Sequence, residues 1–477
     1  MGSAHMMWVH GNFVLASVIL STVWYGVVSL HSINLVEDSP HHPEGTTQRI
    51  IDDFPPDNYI TQDVFKSYPC LPKHIHIAQA NDVDESGQVS FTVSLSLTYG
   101  LCDSGRPVIF YGQGMQEIGR IRGTKPVYFN YTSNLSEGLF HSDWIYHMQL
   151  PNLKAGTHRY WYRIAVEQED RSSHATTAAQ RTLRGSHGYY LGETQTIPLY
   201  TPPLPHSPTA LALVGDLGQT PNSMRTLRGI YESTLLGGGK ITKDHSRTPV
   251  TQLLIAGDMS YADTDPWRWL SWMTLVEPLV RSTPLHVAAG NHEIECDTNT
   301  HDIFVPYEHY FRNPNRIGPS ETKPVSDAYR KTLWNGSCGA PSPFQGVYNF
   351  GNSFYSYRHG LAHIIVLNSY TNTSEDSVQY QWFVEELETR VDRAHTPWLV
   401  VAFHAPFYTT FMGHIDEIEA TVMRDTMEPL FVQYGVNLVV SGAFWFHFYV
   451  LCTMCSYAPS RRTRPCIYED ASNAARE

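Results

Sequence analysis

Two kinds of apolar pattern divide the chain. From about His74 to Tyr200 apolar and polar residues alternate in short runs: His74 to Gln79, Ser90 to Leu97 and Trp144 to Leu150. A turn at Lys154-Ala-Gly-Thr then leads into Arg159-Tyr-Trp-Tyr-Arg-Ile-Ala-Val. A period of two marks half-buried strands, so this region is expected to be all-β. A Pro-rich linker follows, Tyr200-Thr-Pro-Pro-Leu-Pro-His-Ser-Pro, and the pattern changes. Short, wholly apolar runs now end abruptly in polar turns, with helical stretches such as Gln379 to Arg393 between them. Buried strands alternating with helices predict an α/β domain.

The ends of the apolar runs carry the chemistry. Thr209 to Val214 ends in Gly215-Asp216-Leu217-Gly218, and Gln252 to Ala256 in Gly257-Asp258-Met259-Ser260-Tyr261-Ala262-Asp263. Leu285 to Ala289 ends in Gly290-Asn291-His292-Glu293, Trp398 to Phe403 in His404-Ala405-Pro406, and Val436 to Ser441 in Gly442. In open α/β sheets, sites form outside the carboxyl ends of the strands. Gly215, Gly257 and Gly290 are expected to turn the backbone there, so that the next side chain points over the sheet edge. Carboxylates with imidazole, an amide and a phenol suit first-row metals better than Ca²⁺ or a thiolate zinc site. Asp258 can bridge two metals, and a metal pair can clamp a phosphoryl group and generate hydroxide. A lone Gly-Asp is usually a turn and a lone Asn-His usually a loop. Three such motifs in order, each after an apolar run, are not explained that way.

Composition bounds the alternatives. The 477 residues hold 33 Lys plus Arg against 46 Asp plus Glu, a net charge of −13, which disfavours a nucleic-acid-binding module. Phe13 to Leu30 carries no formal charge and reads as a signal-peptide core, cleaved near Ser32, or as a retained membrane anchor. Secretion gives meaning to the sequons at Asn130, Asn134, Asn335 and Asn372. Of seven cysteines, Cys70 with Cys102 and Cys296 with Cys338 are plausible local bridges, and Cys452-x-x-Cys455 reads as incidental.

The motifs GDLG, GDMSYAD, GNHE and FHAPFY, in this order, resemble those of the purple acid phosphatases of the large plant and fungal type, within the metallophosphoesterases. The resemblance runs from about His74 to Gly442. It implies a fibronectin III-like front domain (74–200) and an α/β metallophosphoesterase domain (208–442) built as an α-β-β-α sandwich. Before them lie a signal or anchor (1–32) and a linker (33–73); a divergent tail (443–477) follows. By the same resemblance Asp216, Asp258 and Tyr261 match the ligands of a ferric ion. Asp258, Asn291 and His404 match those of a divalent metal (zinc, manganese or iron), with Asp258 as the bridge. His292 and His414 match histidines facing the phosphate.

The implied function is a secreted acid phosphatase, hydrolysing phosphate monoesters with a dinuclear Fe(III)–M(II) centre and metal-bound hydroxide. The implied partner is a phosphorylated small molecule, with no nucleic acid, and no membrane unless residues 13–30 stay as an anchor. The implied compartment is extracellular or the secretory lumen, with vacuole and cell surface as variants. A phosphodiesterase, nucleotide pyrophosphatase or phytase on the same fold is the alternative enzyme. One motif is broken. The family's Gly-His-x-His after the last strand reads here Gly442-Ala443-Phe444-Trp445-Phe446-His447, so neither Ala443 nor Trp445 can ligate. The resemblance stops there at a single residue, and the catalytic domain reads as truncated. A catalytically impaired glycoprotein is therefore the reading from a different class.

Overall fold

The computed structural model describes residues 28–32, 70–132, 139–168, 184–185, 188–237, 248–295, 297, 302–314, 348–409, 417–442 and 449–454. Their β-rich front half forms two sheets. Lys73–Gln79, Gln88–Leu97 and Trp144–Lys154 pair antiparallel in one. Arg159–Gln168 centres the other, flanked by Gly105–Gln113 on one side and by Gly188–Glu193 and Ile197–Tyr200 on the other. Alternate residues of both sheets, among them Phe91, Val93, Leu95, Met148, Tyr162 and Ile164, share one buried cluster. That is the packing of a sandwich. The Cys70–Cys102 bridge is present, with Cα atoms 5.5 Å apart; Cys296 and Cys338 lie outside the described residues.

The second half is layered, and the strand period explains how. Thr209–Val214, Val250–Ala256 and Leu285–Ala288 run parallel and side by side. Tyr355–His359, Ala362–Val366, Trp398–Phe403 and Leu438–Ser441 form a second, four-stranded sheet. Leu211, Leu213 and Leu254 point from the first sheet into a cluster with Tyr355, Tyr357, Ile364, Val366, Val400 and Ala402 of the second. Their sequence neighbours Ala210, Ala212, Leu253 and Ile255 point the other way, onto Leu227, Ile230, Trp269, Trp272 and Val276. Those partners sit on the helices Pro221–Ser233 and Pro266–Val280. On the far side Ile365, Val401 and Phe403 pack on Phe383, Met423, Met427 and Phe431, from the helices Val378–Thr389 and Ile418–Gln433. The order is helix, sheet, sheet, helix. Strands buried on both faces carry no alternation, which is why they read as continuous apolar runs.

Three boundaries depart from expectation. The helix expected over Gln379 to Arg393 is Val378–Thr389, capped by the Ser377 side chain accepting from Tyr380 N and closed at Arg390. The last strand begins at Leu438 rather than Val436. The first sheet also continues past Gly442: Tyr449–Met454 lies antiparallel to Thr209–Val214, and Val28–Ser32 pairs onto its outer edge. A chain cleaved near Ser32 would lack that edge strand, so the two arrangements exclude each other. Among the described residues no helix is long and apolar enough to cross a membrane.

The front sandwich is docked on the layered half by buried polar contacts. Glu277 Oε2 accepts from His74 N at 2.8 Å, Tyr162 OH donates to Arg281 O at 2.5 Å, and His76 Nε2 meets Tyr310 O at 3.0 Å.

Candidate metal centre

Parallel pairing puts the carboxyl ends of Thr209–Val214, Val250–Ala256 and Leu285–Ala288 on one edge. Trp398–Phe403 and Leu438–Ser441 end beside them, because Gly442 N donates to His404 O at 3.0 Å. The seam between the two sheets is thus a single locus. It leaves no room for side chains on its glycines. A Cβ on Gly257 would stand 2.4 Å from His404 Nδ1, and one on Gly290 would stand 2.2 Å from Asp258 Oδ1. The expected division of labour is corrected here. Of the three glycines only Gly257 has a left-handed backbone, at φ 89°; the turns are carried by Asp216 and Asp258 themselves, each at φ 53°, and by Tyr261 at φ 50°. Asp tolerates this region better than most residues, yet such backbone is held only where the surroundings enforce it.

Glu293 enforces it at Asp258. Its buried carboxylate accepts from Asp258 N at 2.8 Å, Met259 N at 2.9 Å and Gly290 N at 2.8 Å. Burial and the Asp258 charge push its carboxyl up to about 7. Glu295 does the same one turn further on, accepting from Thr264 N at 2.8 Å and Trp269 Nε1 at 2.5 Å.

Asp216, Asp258 and His404 are all buried, and each offers a ligand atom within 4.8 Å of the others. His404 Nε2 lies 3.2 Å from Asp258 Oδ2, and its Nδ1 meets the Ala256 carbonyl at 2.8 Å. A carbonyl only accepts, so Nδ1 carries the proton and Nε2 is turned to the site, the tautomer a metal-ligating imidazole needs. The outer oxygen position of the Asn291 amide is 2.9 Å from His404 Nε2 and 3.1 and 3.2 Å from the two Asp258 oxygens. With nitrogen there its two N–H donors are shared among the three; with oxygen there it completes an all-acceptor group that calls for a cation. Burial works to lower the His404 pKa, but the Asp258 and Asp216 charges outweigh it and push it up to about 10. The donor set therefore fits a metal ion, which would supply the positive charge that His404 otherwise supplies by protonation.

Tyr261 joins the same locus. Burial, then Asp216 and Asp258, hold its hydroxyl well above the usual range, so phenolate character there requires a bound cation. Its ring packs 4.2 Å from that of His292. His292 Nε2 stands 3.7 Å from Asp258 Oδ2, while Nδ1 is hydrogen-bonded to Asp263. Burial opposes protonation of His292, but the Asp263 hydrogen bond and the Asp258 charge raise its pKa. The structure thus brings Asp216, Asp258, Tyr261, Asn291, His292 and His404 together. His414, Ala443, Trp445 and His447 lie outside the described residues. Asp263, Glu293 and Tyr370 were not foreseen; Tyr370 OH stands 3.4 Å from the same outer position of the Asn291 amide. The first two stand inside the Gly-Asp and Gly-Asn-His motifs, whereas Tyr370 has no local sequence signal.

A sequence model of the calcineurin-like phosphoesterase family matches residues 210–442. A purple acid phosphatase of Ipomoea batatas is 28% identical over 379 residues, 78% of this chain and 63% of that protein. A phosphoenolpyruvate phosphatase of Allium cepa is 30% identical over 380 residues, 78% of this chain and 61% of that protein. An Arabidopsis thaliana relative, named as an Fe(3+)-Zn(2+) purple acid phosphatase, is 26% identical over 82% of this chain and 68% of its own length. The solved structure of a purple acid phosphatase from yellow lupin (Lupinus luteus) seeds superposes with a TM-score of 0.57 at 16% identity, over 79% of this chain and 58% of that one. Residues 210–442 thus match the calcineurin-like phosphoesterase family, and the relatives to which the chain is similar over most of its length include several named as purple acid phosphatases. The chain spans less than two thirds of the length of the first two relatives.

Proposed function

We propose that this chain is an acid phosphatase hydrolysing phosphate monoesters of small molecules at a dinuclear centre of iron and a divalent metal. The observation that carries the reading is the buried group of Asp216, Asp258 and His404, with His404 Nδ1 tied to Ala256 O so that Nε2 faces the carboxylates. Asp216, Asp258 and Tyr261 would hold the ferric ion; Asp258, Asn291 and His404 would hold zinc, manganese or iron. When bound, such a pair supplies Lewis acidity toward the phosphoryl group and lowers the pKa of water. The chain's own residues orient and neutralise. Glu293 fixes the Asp258 backbone, and Asp263 fixes the His292 ring. A protonated His292 faces the phosphoryl oxygens or donates to the leaving alkoxide. His414 is proposed for the same face on the resemblance alone.

The fibronectin III-like character of residues 74–200 is part of this reading, and its support is the two-sheet packing of that region. So is a secreted, vacuolar or cell-surface location, supported by the Cys70–Cys102 bridge. A second reading rests on Ala443 and Trp445, which occupy the two sequence positions where the resembled motif has histidines. It predicts weak metal retention and slow turnover, since loss of mere outer partners already lowers affinity about 10–100-fold.

The test is hydrolysis of 4-nitrophenyl phosphate by the full chain between pH 4 and 7, beside Asp258→Asn. The proposal expects the variant to lose at least about 100-fold, with phosphodiester, diphosphate and phytate substrates slower than monoesters. Equal rates for the two proteins would refute it, and a faster diester would move the assignment to the runner-up.

A further inference from the structure

Away from the metal centre, two histidines far apart in sequence meet on the surface. The end of the Pro-rich linker is tacked down by Thr209, whose Oγ1 donates to Ser207 O at 2.9 Å and accepts from Leu361 N at 3.0 Å. Leu361 O in turn accepts from Trp398 N at 3.2 Å, at the start of Trp398–Phe403. One framework therefore carries His206 just before the first of these segments and His395 just before the last. Both side chains are exposed, and their ring centroids stand 5.4 Å apart with the planes 49° to each other. Two imidazoles on one tetrahedral ion, with metal–nitrogen bonds of about 2.0–2.1 Å and each nitrogen about 1.15 Å from its ring centre, place their centroids about 5.2 Å apart. The observed separation matches that of a ligating pair.

His395 is also oriented as a ligand. Its Nδ1 lies 2.5 Å from Asp392 Oδ2, and that hydrogen bond holds the Asp392 carboxyl below its ordinary value. The carboxylate accepts, so Nδ1 carries the proton and Nε2 presents its lone pair. A carboxylate behind an imidazole sets the tautomer in this way and makes the outer nitrogen a stronger donor to metal. Asp392 is held in turn: Oδ1 accepts from Ala394 N at 3.0 Å, and its carbonyl accepts from Thr396 Oγ1 at 2.9 Å. Arg393, the cation of this turn, is engaged elsewhere, donating to Pro397 O at 3.1 Å and to Asn437 Oδ1 at 2.7 Å. His206 keeps a left-handed backbone at φ 70°, a conformation that few residues other than Gly adopt.

We propose that His206 and His395 form a surface site for one divalent ion of the copper or zinc kind, with Asp392 orienting His395 and water completing the coordination. Imidazole suits both metals, and copper binds such a donor pair the more tightly. The ion clips the end of the linker to the turn that precedes Trp398–Phe403. His404 follows that strand at its other end, so this site is separate from the buried carboxylates. The inference is independent of the phosphatase reading.

The test uses the full chain, first exposed to excess iron and zinc and dialysed, then titrated with Cu²⁺. Equilibrium dialysis reads the copper bound, and electron paramagnetic resonance reads its ligands. The expected result is one more copper per chain than in the double variant His206→Asn with His395→Gln, with splitting from two imidazole nitrogens in the signal of that copper. Asp392→Asn is expected to keep the signal but to weaken the binding about 10–100-fold. Equal copper uptake in the wild type and the double variant overturns the proposal. So does an extra copper whose signal shows a single nitrogen, or whose affinity is unchanged by Asp392→Asn. Asn tolerates the left-handed backbone at position 206 and His395 is a surface side chain, so the variants are expected to fold. An unchanged unfolding midpoint after chelator treatment checks this.

Discussion

Asp258 sits at the convergence of two constraints, a left-handed backbone at φ 53° and a close approach by Gly290. The first is met by the Glu293 carboxylate, which accepts three backbone N–H groups. Glu293→Gln keeps the size but turns one acceptor into a donor facing N–H groups, and should destabilise the chain by about 1–3 kcal/mol. Thermal unfolding of the apo chain reads this, and an unchanged midpoint would contradict it. Gly290→Ala keeps an ordinary backbone angle but drives a methyl into Asp258 Oδ1, and is expected to lower the midpoint and weaken metal uptake together. The site ligands were legible because each follows an apolar run inside a short motif. Glu293 lies in one of those motifs, but its role needs the Asp258 turn to be seen beside it. Tyr370 and the imidazole tautomer of His404 depend on contacts far apart in the chain, which no local pattern encodes.

At the scale of elements, the strands that lead into the site were legible since they are buried on both faces and therefore mostly apolar. Gln116–Arg122 was not, because it is an edge strand whose side chains are mostly exposed and carry no apolar period. Tyr449–Met454 was missed for a different reason: its partner is Thr209–Val214, far upstream, and pairing at that distance leaves no mark on the local sequence. The Cys70–Cys102 bridge joins the chain just before Lys73–Gln79 to the turn just after Gln88–Leu97, across 32 residues. Cys102→Ala should lower the stability of the front sandwich by about 3–4 kcal/mol in the chain-entropy account. Unfolding followed by denaturant titration reads this, and a loss under about 1 kcal/mol would mean the sandwich core alone specifies the region.

For the whole molecule, acidity pulls in two directions. Burial pushes the carboxyl of Glu277 up to about 7, so its contribution is full below about 4.5 and is lost as pH rises through 7. Burial pushes His74 and His359 down to about 3, and His76 down to about 4. Their contribution is full above the ordinary value of 6.5 and is lost as pH falls toward those values, by about 1.4 kcal/mol per unit per group at most. Glu293 and Glu295 are raised like Glu277, and His286 and His309 are lowered like the other three, so five histidines stand against three carboxyls and stability should fall on acidification below about 6. His359 is held by Thr251 Oγ1 and Gln79 Oε1. His359→Gln should therefore destabilise at pH 7 and by progressively less toward pH 4; a penalty that grows with acid would contradict this. The account as a whole stands on the buried carboxylates and His404 being a metal centre. The most direct test is the iron, zinc and manganese content of the full chain after exposure to excess metal and dialysis, with Asp258→Asn in parallel. The account predicts bound metal in the wild type that falls sharply in the variant; equal content in the two, or none in either, would contradict it.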